Sequence, residues 1–266
     1  MTAEGRKALL VVFLTALVCS SLVSAAVVVL RPIQLENQLL ERSRHIVQLS
    51  GLVADGETGD EEMLAAYRAL DRRILDIDAG RFQGDYDADT FDMRRAANDP
   101  ELSVAVPANL DRAALGRRSR FAPVYIVWGE DALERVVLPV SGNGMWSMLY
   151  GFIALESDLN TIAGMTFYEQ NETPGLGDRI TQPEWLAQWQ GRQILDSRGE
   201  QRFRVGEGRI DPDSDLARHE VDALTGATVT ADAVTGLITY WFGDHGFAGL
   251  LEEWRENPPQ PPAEGS

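Results

Sequence analysis

The chain has 266 residues, 44% of them hydrophobic, which is enough apolar material for one packed domain plus an anchor and excludes wholesale disorder. Its formal net charge of −17 excludes a nucleic-acid binder, because contact with a phosphate backbone needs a basic face. Cys19 is the only cysteine, and His45, His219 and His245 are scattered, so neither an intramolecular disulfide nor a protein-bound metal is expected.

Behind a short N-terminus, residues 1–7, the run Ala8–Leu30 has 23 positions without a charge. As a helix it would extend about 34 Å, against a hydrocarbon core of roughly 30 Å, so it reads as a transmembrane helix. A cleaved signal peptide is the rival reading, since Val23-Ser24-Ala25 has the small residues of a cleavage site. The apolar run continues to Leu30, however, and exceeds a normal signal core. Basic residues stand on both sides, Arg6 and Lys7 before the run and Arg31, Arg42 and Arg44 after it, so charge alone leaves the sidedness open.

Residues 31–120 read as a membrane-proximal region of helices and irregular chain. The spacing of Ile33, Leu39, Leu40, Ile46 and Val47 predicts a helix over residues 33–48. That of Met63, Leu64, Tyr67, Leu70 and Ile74 predicts another over residues 60–78. Charged and small residues dominate 80–120, as loops with short helices or as a face for a partner.

The pattern changes over residues 121–255. Residues 123–128 and 135–140, rich in β-branched and aromatic side chains, predict a hairpin, and two more strands follow over 148–155 and 162–168. Pro183 opens a short helix to residue 190, and strand-like pieces resume near Gln193 and Phe203. The tail, residues 256–266, carries Pro258, Pro259, Pro261 and Pro262 and is expected to be disordered. The fold class is therefore α+β: one N-terminal transmembrane helix, then a soluble domain with a mainly antiparallel sheet and flanking helices.

Three strings carry the chemistry. The first is Asp222-Ala223-Leu224-Thr225-Gly226-Ala227-Thr228, in front of a helix with Val229, Ala233, Val234, Leu237, Ile238, Trp241 and Phe242 on one face. Thr225, Gly226, Ala227 and Thr228 then stand at a helix N-terminus, where unpaired N–H groups and the helix dipole favour a phosphate. A plain helix cap by Thr228 or Thr230 is the competing reading. The second string, Asn171-Glu172-Thr173-Pro174-Gly175-Leu176-Gly177, is a turn placed after a strand. In the third, Gly144–Phe152, the aromatic residues are either core or the flank of a flat ring; Phe152 fits core, while Trp146 and Tyr150 stay open.

In this order, and after one N-terminal membrane helix, the three strings resemble the C subunit of the bacterial sodium-translocating NADH:quinone oxidoreductase (Nqr). The likeness covers essentially the whole chain and is strongest from Gly142 to Gly249, including Trp241-Phe242-Gly243-Asp244-His245-Gly246-Phe247. The G subunit of the Rnf complex is similar in Glu-Thr-Pro-Gly-Leu-Gly and in the Asp-x-x-Thr-Gly-Ala-Thr pattern of the first string, but it lacks the stretch seen here at Trp146 to Phe152. An Rnf-type flavoprotein is thus the close alternative, and a membrane-anchored periplasmic scaffold without redox chemistry the distant one.

The resemblance implies FMN joined covalently, by a phosphoester, to Thr228, with the bond made outside the cytoplasm by a flavin transferase. It also implies a single-pass protein of the bacterial inner membrane, in contact with lipid, whose soluble domain is periplasmic. Its partners would be five other subunits of a complex that couples NADH oxidation by ubiquinone to sodium export. Glu172, Thr173, Leu176, Trp146 and Tyr150 are expected near the flavin ring, and Thr225, Gly226 and Ala227 near its phosphate. Thr228 would be an attachment point; no catalytic residue and no complete reaction by the isolated chain are expected.

Overall fold

One helix, α1 (Ala3–Ser50), takes up both helices expected in the first fifty residues. The computed structural model describes residues 3–53 and 58–262, and its contacts divide the chain into Met1–Arg42 and Ser43–Ser266. In the first unit, Gly5–Arg31 is long and apolar enough to cross a membrane, and among its described side chains none is buried by protein. Val12, Phe13, Leu22, Val28 and Val29 are all exposed, an apolar surface that water would not tolerate.

The second unit begins with the last turns of α1, where Ser43, Ile46, Val47 and Ser50 are buried. Helix α2 (Asp60–Ala69) follows, with Asp60, Glu61 and Glu62 at the positive end of its dipole and Met63 and Tyr67 buried. The helix expected as far as residue 78 stops here, because Asp71–Asp76 form strand β1. Leu70 and Ile74 have helical spacing, but the neighbours Ile74 and Leu75 are both buried, one on each side of a sheet. Pairing of Asp71–Asp76 with residues 121–126 outweighs the local helical pattern.

Strand β2 (Arg81–Gln83), helix α3 (Met93–Asn98) and strands β3 (Ser103–Ala105) and β4 (Arg117–Ser119) occupy the stretch dominated by charged and small residues. Strands β5 (Phe121–Trp128), β6 (Leu133–Asn143), β7 (Met148–Glu156) and β8 (Ile162–Glu169) overlap the four runs predicted as strands. Except for β3 and β4, which pair with each other, these strands join one sheet of order β2-β1-β5-β6-β7-β8, antiparallel at every pairing. The expected short helix is α4 (Pro183–Leu186), extended by a 3-10 turn Ala187–Trp189. Gln193 makes only an isolated bridge to Thr161, and Phe203 directly precedes β9 (Arg204–Val205), which pairs in parallel with β10 (Glu220–Val221). Of the tail, residues 257–262 form no helix or strand, and residues 263–266 lie outside the described residues.

The two sheet faces are packed differently. Tyr125, Phe152 and Tyr168 line one face, with Phe152 edge-on to Tyr125 and stacked on Tyr168, toward Tyr67 of α2 and His45 of α1. The other face, with Val124, Ile126, Val136, Leu138, Leu149 and Ile153, is covered by α5 (Thr228–Trp241) and α6 (Ala248–Glu256). Leu237 of α5 sits against Gly142, and the Trp241 indole donates to the Ser141 carbonyl at 2.7 Å. Seating α5 across β6 in this way brings its N-terminus to the loops that follow β6 and β8.

Candidate functional site

Thr228 is the first residue of α5, and the preceding Ala227 is not helical. The first bond of the helix runs from the Ala231 N–H to the Ala227 carbonyl at 3.0 Å, so the N–H groups of Thr228, Val229 and Thr230 have no partner within the helix. Among the described residues no side chain caps this end. The capping reading therefore fails for both threonines: Thr228 lies inside the helix, and the buried Thr230 hydroxyl donates to Glu172. Thr225, Gly226, Thr228 and Val229 are exposed.

The turn before the helix is held from behind. Gly226 has φ +79, a conformation that a side chain would resist, and the Ala227 N–H donates to the Leu224 carbonyl at 2.9 Å. Asp222, the first residue of the motif, takes a supporting role here. Its carboxylate accepts from the Ile210 N–H at 2.8 Å, its carbonyl from the Trp185 indole at 2.9 Å, and its own N–H donates to Gln188 at 2.8 Å.

The other two strings meet the helix at Glu172. This residue is 4% exposed, and its Oε1 accepts from the Met145 and Trp146 N–H groups at 3.0 and 3.2 Å, while Oε2 accepts from the Thr230 hydroxyl. Thr173 accepts from the Trp146 indole at 3.0 Å, and Leu176 lies against Gly226. Met145, Trp146, Leu176 and Val229 are four exposed apolar side chains on these joined segments, and Trp146 is 67% exposed. An outward-facing indole with aliphatic groups beside an uncapped helix end suits a ligand with an anionic end and a flat apolar body.

Tyr150 is placed elsewhere. It lies under the Arg94 guanidinium, 3.7 Å from the ring centre, beside Tyr168 and so on the sheet face away from α5. Burial pushes its phenol up from the ordinary tyrosine value, against the lowering charge of Arg94. Arg94 in turn pairs with Glu169 at 2.6 Å. No described hydrogen bond or ring contact joins Tyr150 to the Thr228 end, because along β7 it points opposite to Leu149. Conversely, Met145 and the hydroxyl of Thr230 belong to the cluster, although the sequence offers Thr230 only as a helix cap and gives Met145 no role of its own. The available signal is a polar Thr230 on the buried face of an apolar helix, which demands a partner.

Comparison with known proteins agrees with this convergence. The FMN-binding domain family matches residues 144–242, from the first residue of the tryptophan string to the end of α5. The C subunit of the Na(+)-translocating NADH-quinone reductase of Pseudomonas aeruginosa is 40% identical over 250 residues, covering 94% of this chain and 96% of that protein. The corresponding protein of Vibrio anguillarum is 39% identical, with coverage of 94% and 95%. The crystal structure of Shewanella oneidensis NqrC matches with a TM-score of 0.76 and 33% identity, over 84% of this chain and all of that one. With its fold, its three convergent strings and these relatives, the chain belongs to the NqrC family, the C subunits of Na(+)-translocating NADH-quinone reductases.

Proposed function

We propose that this chain is the electron-carrying subunit of its complex and holds FMN covalently, as a phosphoester on Thr228. The observation that carries this reading is the start of α5: three N–H groups without a partner in the helix, no side-chain cap, and an exposed hydroxyl on the same turn. Such a terminus binds a phosphate by charge-assisted hydrogen bonds. The Thr225-Gly226-Ala227 turn leaves the approach open, and Trp146, Leu176 and Thr173 offer two apolar surfaces and a hydroxyl to a ring. Bound FMN supplies the redox chemistry; this chain supplies attachment, position and surroundings. Glu172 contributes through the protein groups it holds, and Tyr150 is not part of the proposed site.

Gly5–Arg31 serves as an uncleaved anchor in the inner membrane, and the soluble unit faces the periplasm, where a flavin transferase forms the bond. A tether suits that compartment, because it keeps the flavin at a fixed effective concentration after any dissociation of ring contacts. The flavin exchanges electrons within an assembly that includes five other subunits, and NADH oxidation by ubiquinone coupled to sodium export is the work of that assembly.

In-gel flavin fluorescence after denaturation tests the attachment. Co-expressed with the transferase, the wild-type chain fluoresces and Thr228→Ala does not, with protein levels unchanged. Fluorescence that survives Thr228→Ala refutes the site, and none in the wild type refutes covalent attachment.

A further inference from the structure

The Glu172 carboxylate is fully engaged inside the protein, which sets it apart from the exposed groups around Thr228. We infer that Glu172 is a positioning residue: it locks the turn carrying Trp146 to the first turn of α5, and so sets where the indole stands relative to the Thr228 hydroxyl. The consequence for a flavin rests on the reading of Thr228 given above, whereas the lock itself does not.

The turn needs such a lock. Met145 and Trp146 are 48% and 67% exposed, so their side chains contribute little burial to hold the backbone in place. Its position depends on polar contacts instead. The Gly144 N–H donates to the Ser147 carbonyl at 2.7 Å, the Asn171 N–H to the Ser147 hydroxyl at 3.1 Å, and the Trp146 indole to Thr173 at 3.0 Å. The first closes the turn on itself, and the other two join it to the loop after β8. Among the hydrogen bonds described for this cluster, the one from Thr230 to Glu172 is what extends it to α5.

The chemistry of a carboxylate fits this place. Two successive backbone N–H groups converge on Oε1, a small anion-holding nest, and a hydroxyl donates to Oε2. A carboxylate accepts on both oxygens and brings no donor of its own. Room has been made for it as well. A methyl group on Gly144 would stand 2.5 Å from Oε1, and one on Gly177 would stand 2.7 Å from the Thr230 hydroxyl and 2.9 Å from Glu172 Cβ. Neither glycine has a left-handed backbone, so space is what these positions require.

Glutamine at position 172 can still turn its carbonyl to the two N–H groups and its amide to Thr230, whose hydroxyl can rotate to accept. Alanine removes every contact. Thr230→Val keeps the volume of residue 230 and removes only the hydroxyl.

The test uses the full chain in detergent micelles, with all six tryptophans replaced by 5-fluorotryptophan and observed by fluorine NMR. The Trp146 line is identified by its loss in Trp146→Phe. In the flavin-free chain, Glu172→Ala and Thr230→Val are expected to shift the Trp146 line while those of Trp189 and Trp241 stay, and Glu172→Gln to restore the wild-type position. A Trp146 line unmoved by Thr230→Val overturns the inference, even if Glu172→Ala fails to fold. Movement of all six lines in Thr230→Val also overturns it, since the residue would then support the fold at large. In flavin-loaded chains, the same variants should change flavin emission at equal covalent yield. A wild type that carries no flavin would defeat the reading of Thr228 and leave the NMR result to judge Glu172.

Discussion

Gly177→Ala should be one of the more damaging single-methyl changes in the soluble unit, for a reason that can be isolated. The added Cβ would lie 2.7 Å from the Thr230 hydroxyl and 2.9 Å from Glu172 Cβ, both well inside van der Waals contact. Thr230 and Glu172 are 1% and 4% exposed, so neither can swing into solvent to make room. Overpacking of a buried site costs about 1–3 kcal/mol. If the hydroxyl and carboxylate are driven apart, the lost partner adds about 1–3 kcal/mol. The sum, about 2–6 kcal/mol, is a large part of a typical unfolding free energy.

Two other glycines supply the controls. Gly175 has φ +77 and open space around it, so alanine there tests backbone conformation alone, at about 1–2 kcal/mol. Gly208 has no φ in the left-handed region and no neighbour within 4 Å, so alanine there should cost nothing and can add about 0.4–1 kcal/mol. Urea titration of the full chain in micelles, followed by tryptophan fluorescence, should place the Gly177→Ala midpoint about 1 M or more below wild type, given slopes of about 1–3 kcal/mol per M. Equal midpoints for Gly177→Ala and Gly208→Ala would refute the close packing of Gly177, Glu172 and Thr230.

The seating of α5 makes a second prediction. Leu237→Ala should lower unfolding stability by about 2–5 kcal/mol, because the side chain is fully buried against the sheet. Val229→Ser, 53% exposed on the same helix, should change it by no more than about 0.5 kcal/mol, and equal losses would contradict the packing described. Acid should weaken the fold through Asp71, Asp76 and Asp158. Burial pushes each carboxyl up, but hydrogen bonds, from Arg73 and Trp128, from Arg120 and the Ala79 N–H, and from Thr161 respectively, more than reverse it. All three are held below the usual carboxylate range, so their stabilisation is present above about pH 4 and lost as pH falls through the depressed values. Urea midpoints measured from pH 6 downward should drop below about pH 4, and the drop should shrink in Asp71→Asn.

Patterns of short range are legible without coordinates. The charge-free run of α1, the β-branched and aromatic runs of β5 and β6 and the apolar stripe of α5 follow from local composition and spacing, which depend only on neighbouring residues. The three strings are legible too, and so is their association, through family likeness. Periodicity misleads at residues 70–78, where Leu70 and Ile74 fit a helix but β1 gains its ladder from β5, some fifty residues further on. Tyr150 misleads for a related reason: one residue of register decides which side of β7 a ring faces, and α3 supplies the arginine that covers it.

By itself, the sequence determined that this chain has a membrane-length apolar helix, a strand-rich domain and a phosphate-suited threonine turn, because each is written in consecutive residues. Tertiary structure alone decided how the groups around that threonine are held. Glu172 reaches across 26 and 27 residues to the tryptophan turn and across 58 to Thr230, and no local pattern records contacts of that span. They exist because a six-stranded sheet carries both loops to the end of α5, where one buried carboxylate can satisfy donors from each side.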